Sequence, residues 1–260
     1  MNIEKMLFYK KLMALVFPIA IQNLMTALVS ASDALMLGRL NQTALSAVSL
    51  AAQVQFVLNL FFTALTIGTT ILAAQYWGKK DKDSVEEVLC IALKLSFLIS
   101  FLFFIAAFFF PQILMQVFTN ERLLVEAGIP YLRVVSWSYL FMGFSQIYLC
   151  VMKNSGRTTK STIYGSSALV LNLLLNAVLI FGLLGFPQMG IAGAALATTI
   201  ARAVECFLTI FENLKTGVVR VRLNYFYSAS VRLTRDYFRY TMPVLAHELV
   251  WGCGFTMFSV

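Results

Sequence analysis

The sequence predicts an all-α integral membrane protein: a six-helix transmembrane bundle, followed by the start of a seventh helix. Three observations carry that prediction. The chain has an apolar excess, its apolar runs are of membrane-spanning length, and its basic residues fall on alternate sides of those runs. Hydrophobic residues fill 60% of the 260 positions and charged residues 12%, with a mean hydropathy of +0.80. Soluble domains are about half apolar and about a quarter charged, and a water-soluble fold of this composition would expose large association-prone patches. In lipid every backbone polar group must be satisfied within the chain, which leaves helices or closed barrels. The runs are long and continuous rather than short and alternating, so helices are expected.

A helix needs about 20 apolar residues to cross the hydrocarbon core. Runs of that kind are Leu12–Leu37, Leu45–Tyr76, Val88–Phe110, Tyr131–Met152, Thr162–Leu184, Ile191–Phe211 and Thr241–Val260. The second is long enough to tilt or to extend beyond the core. One side of these spans receives Lys5, Lys10, Lys11, Lys79, Lys80, Lys82, Lys153, Arg157 and Lys160, then Lys215, Arg220, Arg222, Arg232, Arg235 and Arg239. The other side has Arg39, Arg122 and Arg133. This asymmetry predicts a multi-pass protein of the cytoplasmic membrane with its N-terminus in the cytoplasm. It also accounts for the net charge of +8 without nucleic acid as a partner. The polar loop Gly78–Glu87 carries both signs and needs no role beyond staying hydrated. Lys10 and Lys11 before an apolar run resemble a secretory signal, but Pro18, Gln22 and Asn23 interrupt the run and further spans follow. Cys90, Cys150, Cys206 and Cys253 form no C-x-x-C pair, so they read as small buried apolar residues rather than a zinc or redox site.

The seventh run repeats the first. Phe17-Pro18-Ile19-Ala20-Ile21-Gln22-Asn23-Leu24 aligns with Met242-Pro243-Val244-Leu245-Ala246-His247-Glu248-Leu249, proline on proline, each after basic residues. Internal repeats of this kind are common in transporters. The sequence therefore divides into a six-helix lobe over 1–212, a cytoplasmic linker over 213–240 and the first helix of a second, truncated lobe over 241–260. The second lobe is expected as a partner of the first.

Ionisable groups at membrane depth are costly and count as functional candidates. Asp33 lies toward the outer end of the first span. It reads either as an interfacial carboxylate near Arg39 or as a cavity-facing one that takes up a proton or Na⁺. Glu248, beside the chain's one histidine, His247, enters the seventh span by about five residues and also suits an interfacial position. Lys94 and Glu87 are seven apart on one helical face and read as snorkelling groups. Arg202 and Glu205 are three apart, a spacing that permits a local ion pair. Asn172 and Asn176 share one face of the fifth span, and Gln53, Gln55 and Asn59 lie early in the second. Such amides bond between helices or coordinate a cation. Gly190, Gly193 and Ala197 give the sixth span a small-residue face for close packing.

At these residues the sequence resembles the multidrug and toxic compound extrusion (MATE) transporters. The matching stretches are Pro18 to Asn23, Ser32 to Leu40, Gly68 to Asp81, Asn154 to Lys160, and Asn172 through Arg202. The resemblance implies the N-terminal lobe of a twelve-helix, V-shaped antiporter that exports organic, often cationic, compounds in exchange for H⁺ or Na⁺. It implies that Asp33 is a cation-coupling residue, with Asn172, Asn176 and Thr198 beside it and Glu248 as a further coupling group. A Na⁺ ion, where that is the coupling ion, would sit at Asp33, Asn172 and Asn176. Some relatives carry aspartate where this chain has Asn176, which leaves proton and sodium both open. The lipid bilayer and small organic substrates are the implied partners; no other metal or cofactor is expected.

A lipid-linked oligosaccharide flippase of the same superfamily is the nearest rival, but it would line its cavity with cationic residues, and these spans hold few. An intramembrane enzyme would need paired aspartates, a serine with histidine, or H-E-x-x-H, and the sequence has no such constellation. A seven-helix receptor or channel fits the number of runs but not the repeat.

Overall fold

The computed structural model describes residues 3–216, 219–227 and 230–259. Val260, the last residue of the seventh run, lies outside the described residues, as do positions 217–218 and 228–229 of the segment read as a linker. The described residues form helices α1 (Ile3–Leu40), α2 (Gln42–Gly78), α3 (Lys82–Phe109), α4 (Pro111–Phe118), α5 (Arg122–Asn154), α6 (Thr158–Phe181), α7 (Gly190–Thr216), α8 (Leu223–Tyr227) and α9 (Val231–Ser259), with no strand among them. Six of these, α1, α2, α3, α5, α6 and α7, contain stretches long and apolar enough to cross a bilayer. They coincide with the first six apolar runs of the sequence.

Helix ends and run ends differ, most helices overrunning and α3 and α6 stopping short at Phe109 and Phe181, because the ends are fixed by capping rather than by hydropathy. The Asn41 side chain accepts from the Ala44 N–H at 2.6 Å and starts α2. Asp81 does the same for α3, accepting from the Ser84 N–H at 3.1 Å and the Ser84 hydroxyl at 2.6 Å. Pro111 occupies the first turn of α4, where its missing N–H costs nothing. Gly182 ends α6 in the left-handed conformation, φ +70°, which its lack of a Cβ allows. Pro18 and Pro243, the aligned prolines of the repeat, both lie inside continuous helices.

α5 is the central element, packed on α2, α3 and α7, with α6 packed between α1 and α7. Leu132, Val135, Tyr139, Met142 and Ile147 of α5 are fully buried against this surround. Small residues let the helices approach: the Ser96 hydroxyl of α3 donates to the Gly143 carbonyl of α5 at 2.6 Å. A Cβ on Gly193 of α7 would meet the Leu179 carbonyl oxygen of α6 at 2.6 Å. Gly193 thus supplies the close packing expected of the sixth span. The outer surface carries Phe97, Leu98, Phe101, Leu174 and Phe207, exposed large apolar side chains that suit lipid.

One expectation needs correction. The stretch Gly78–Glu87 is not a loop that merely stays wet: α3 begins at Lys82, and Glu86 is fully buried. The segment 213–240, read as a linker, contains helical residues. α7 continues to Thr216, α8 intervenes, and α9 begins at Val231, ten residues before the last apolar run. Tyr237 of α9 is buried and donates to the Leu65 carbonyl of α2 at 3.0 Å, with the Thr69 hydroxyl 3.1 Å away. Packing against α2 supplies partners that a reading of local polarity does not see.

Candidate functional site

On α1 the polar residues Gln22, Thr26, Ser30 and Asp33 recur at intervals of four, four and three, which places them on one helical face. That face borders a cavity of about 400 Å³ lined by residues of α1, α2, α5, α6 and α7. Asp33 is half-buried at its wall. Its Oδ1 accepts from the Asn176 amide at 2.6 Å, short enough for a charge-assisted bond. The same amide nitrogen lies 3.3 Å from Asn172 Oδ1. Asn172 in turn donates to the Thr198 hydroxyl at 3.2 Å, and Thr198 donates to the Ala194 carbonyl at 3.0 Å. A continuous chain of hydrogen bonds therefore joins α1, α6 and α7. It exists because Asn172 and Asn176 stack one turn apart and Gly193 lets α7 lie against α6.

Asp33 has no ion-pair partner among the described residues, and Asn176 Oδ1 is buried without a hydrogen-bond partner. Among the described residues the cavity is lined by one cation, Arg202, which is already paired with Glu205 at 2.8 Å. Its acid is uncompensated and its base is compensated. Among the described residues no group of three or more His, Cys, Asp or Glu side chains could hold a metal ion. A cation at Asp33 would therefore rest on carboxylate, amide and hydroxyl oxygens.

The MatE family model matches residues 18–178, which include Asp33, Asn172 and Asn176. The chain belongs to the MatE family. It is 28% identical over 193 residues to "Uncharacterized transporter YisQ" of Bacillus subtilis, covering 74% of this chain and 42% of that protein. It is 25% identical over 253 residues to "Probable multidrug resistance protein NorM" of Thermotoga maritima, covering 96% of this chain and 54% of that protein. The chain thus spans about half the length of these relatives. A solved structure, the outward-facing conformation of a multidrug resistance MATE family transporter of the MOP superfamily, shares the fold. The TM-score is 0.82 at 23% identity, over 92% of this chain and 52% of that one.

The MatE chain holds further polar clusters that the sequence did not announce. Gln22, three turns from Asp33 on the same face of α1, accepts from the Lys153 ammonium at 3.0 Å. A Cβ on Gly165 would strike the Gln22 amide, so the glycine makes room for this contact. Glu205 is 2% exposed and accepts from the Ser145 hydroxyl at 3.4 Å as well as from Arg202. Glu212 is held by Arg157 at 2.8 Å, Lys160 at 3.3 Å and the Tyr164 hydroxyl at 2.8 Å. The spacing of Arg202 and Glu205 foretold their pair, whereas the other partners come from distant helices.

Of the residues named from sequence, the fold brings Asp33, Asn172, Asn176 and Thr198 together. Glu248 stands apart. It lies on α9, which packs on α2 and α3, it does not line the Asp33 cavity, and its Oε1 is 3.7 Å from His247 Nδ1. Gln55 and Asn59 do face the cavity, as does Tyr131, which sequence reading treated as a span boundary. The signal that finds Thr26 and Ser30 is the polar stripe on α1.

Proposed function

We propose that this chain is the N-terminal lobe of a cation-coupled antiporter that exports drugs or other organic, often cationic, compounds by alternating access. In this reading H⁺ or Na⁺ is the coupling ion and the N-terminus faces the cytoplasm. The observation that carries it is the unpaired Asp33 carboxylate, set among membrane-buried amides at the wall of a cavity. An ionised carboxylate only accepts hydrogen bonds, whereas a protonated one also donates. Asn176 Oδ1, buried and unpartnered, is the acceptor such a proton needs. A half-turn of that amide exchanges Nδ2 for Oδ1, so the same residue serves an ionised Asp33, a protonated one, or a Na⁺ held between Asp33 and Asn172.

Occupancy shifts a two-state equilibrium only by its differential affinity for the two states. The element this site biases is α1, largely exposed along its length and tied inward by the Asp33–Asn176 and Gln22–Lys153 contacts. A lipophilic cation in the cavity meets the Asp33 carboxylate and the rings of Tyr131 and Phe56, so drug and coupling ion compete for that carboxylate or favour opposite states. Glu248, remote from this site, keeps a coupling role only as part of a separate site on α9.

Asp33→Asn in the complete transporter is expected to abolish gradient-driven efflux of a cationic dye while membrane abundance stays unchanged. Undiminished efflux would reject the assignment. Collapsing the proton and sodium gradients separately identifies the coupling ion.

A further inference from the structure

Away from the Asp33 cavity, the fold builds a groove of about 260 Å³ between α3, α8 and α9. Ile91, Leu95, Tyr225, Phe226 and Phe238 make its walls, and among the described residues Lys94 is the one charged group lining it. Lys94 lies eight residues past Glu86 on α3, about 12 Å further along the axis at about 1.5 Å per residue. The exposed apolar residues Phe97, Leu98 and Phe101 follow it directly. It therefore marks the edge between the polar end of the bundle and its lipid-facing surface.

No carboxylate pairs with Lys94 among the described residues. The acids of this end are engaged elsewhere: Asp83 and Glu86 with Arg222, and Glu87 with the Ser230 N–H. Asp236 of α9 is turned roughly 160° from both Thr234 and Phe238, which face the groove. Arg235 and Arg239 stand beside those two residues, exposed and, among the described residues, without ion pairs. The groove thus combines aromatic walls, a lone ammonium at the hydrocarbon edge and a basic rim. Charges at membrane depth are normally paired, and basic pockets between transmembrane helices suit anionic headgroups.

We propose that this groove binds an anionic phospholipid, its phosphate on Lys94 and the rim arginines, its glycerol and upper acyl chain against Phe226 and Phe238. Free phosphate would answer the charge and leave the aromatic walls bare; a lipid answers both.

The test is native mass spectrometry of the purified protein in detergent, titrated with phosphatidylglycerol or phosphatidylcholine. One phosphatidylglycerol is expected to be retained in preference to phosphatidylcholine. Lys94→Ala should weaken that retention about fivefold, the effect of one basic residue near a lipid phosphate, and Lys94→Arg should preserve it. Thermal unfolding without added lipid checks that Lys94→Ala remains folded, and Phe238→Ala is a second variant expected to weaken retention. Equal retention of the two lipids, retention unchanged in Lys94→Ala, or displacement by inorganic phosphate at millimolar concentration would each overturn the proposal.

Discussion

Asp33 and Glu86 are both carboxylates drawn in among helices, and their surroundings are opposite. Glu86 is fully buried, with the Arg222 guanidinium at 2.6 Å, the Lys82 ammonium at 3.8 Å and the Arg220 N–H donating at 3.0 Å. Asp33 is half-buried, borders a cavity and, among the described residues, hydrogen-bonds the neutral amide of Asn176 without a cationic partner. Fixed cations on Glu86 lock its charge in place, and in doing so they pin the segment carrying Arg220 and Arg222 to the start of α3. Neutral amides stabilise a charge without neutralising it, which leaves Asp33 open to a mobile cation. Burial alone does not make an acid functional; what distinguishes the two sites is whether the compensating charge belongs to the protein.

This contrast predicts that the two acids fail differently. Glu86→Ala leaves Arg222 without its buried partner and the Arg220 N–H without its acceptor. Arg222 is half-exposed and keeps Asp83 as a partner, so the cost should fall below the roughly 3–5 kcal/mol of a fully buried pair while remaining measurable as a loss of unfolding stability in detergent. Asp33→Asn should change the same unfolding curve little, because an amide can still bond Asn176, while transport is lost. Equal destabilisation by the two variants would erase the distinction. A smaller effect tests how rigidly the Asp33 site is held. In Gly193→Ala the new methyl would meet the Leu179 backbone, 2.6 Å from its oxygen and 2.8 Å from its carbon. Backbone cannot yield as a side chain does, so α7 must move off α6, at a cost of about 1–3 kcal/mol. The Asn172–Thr198 bond should lengthen with it, so transport is expected to fall more than stability does. A Gly193→Ala protein with full activity would show that the α6–α7 spacing does not set the site.

The contrast also explains what the sequence revealed. The spans were legible because lipid imposes a compositional signal on every residue facing it. The Asn172–Asn176 pair was legible because an interval of four places both on one face, and the Arg202–Glu205 pair because an interval of three permits it. Glu86 was not legible. Its cationic partner Arg222 and the Arg220 N–H lie more than 130 positions away, and a carboxylate between Val85 and Glu87 reads as part of a hydrated loop. Gln22 and Lys153 are hidden for the same reason: their contact depends on how α1 meets α5, which no local period encodes. The family resemblance, rather than any spacing, joined Asp33 to Asn176 across 143 positions.

Asp81 offers the smallest and most local of these tests, an acid that is neither locked by fixed cations nor open to a mobile one. At the N-cap of α3 it accepts from the Ser84 hydroxyl and N–H, and those bonds hold its carboxyl below its ordinary value of 3.8. A carboxyl depressed in the folded state contributes stability that is complete above the unfolded value and is lost as pH falls through the folded one. Asp81→Ala should therefore cost about 1 kcal/mol at neutral pH, seen as faster amide exchange in the first turn of α3. The difference from the parent protein should shrink as pH falls below the ordinary carboxyl value of 3.8 and through the lower value of the folded state. Asp81→Asn keeps a capping acceptor without the charge, so it should retain most of the protection and lose the pH dependence. If Asn behaves like Ala at neutral pH, it is the charge that holds the first turn of α3, and the rule that separates Glu86 from Asp33 would then extend to exposed helix ends.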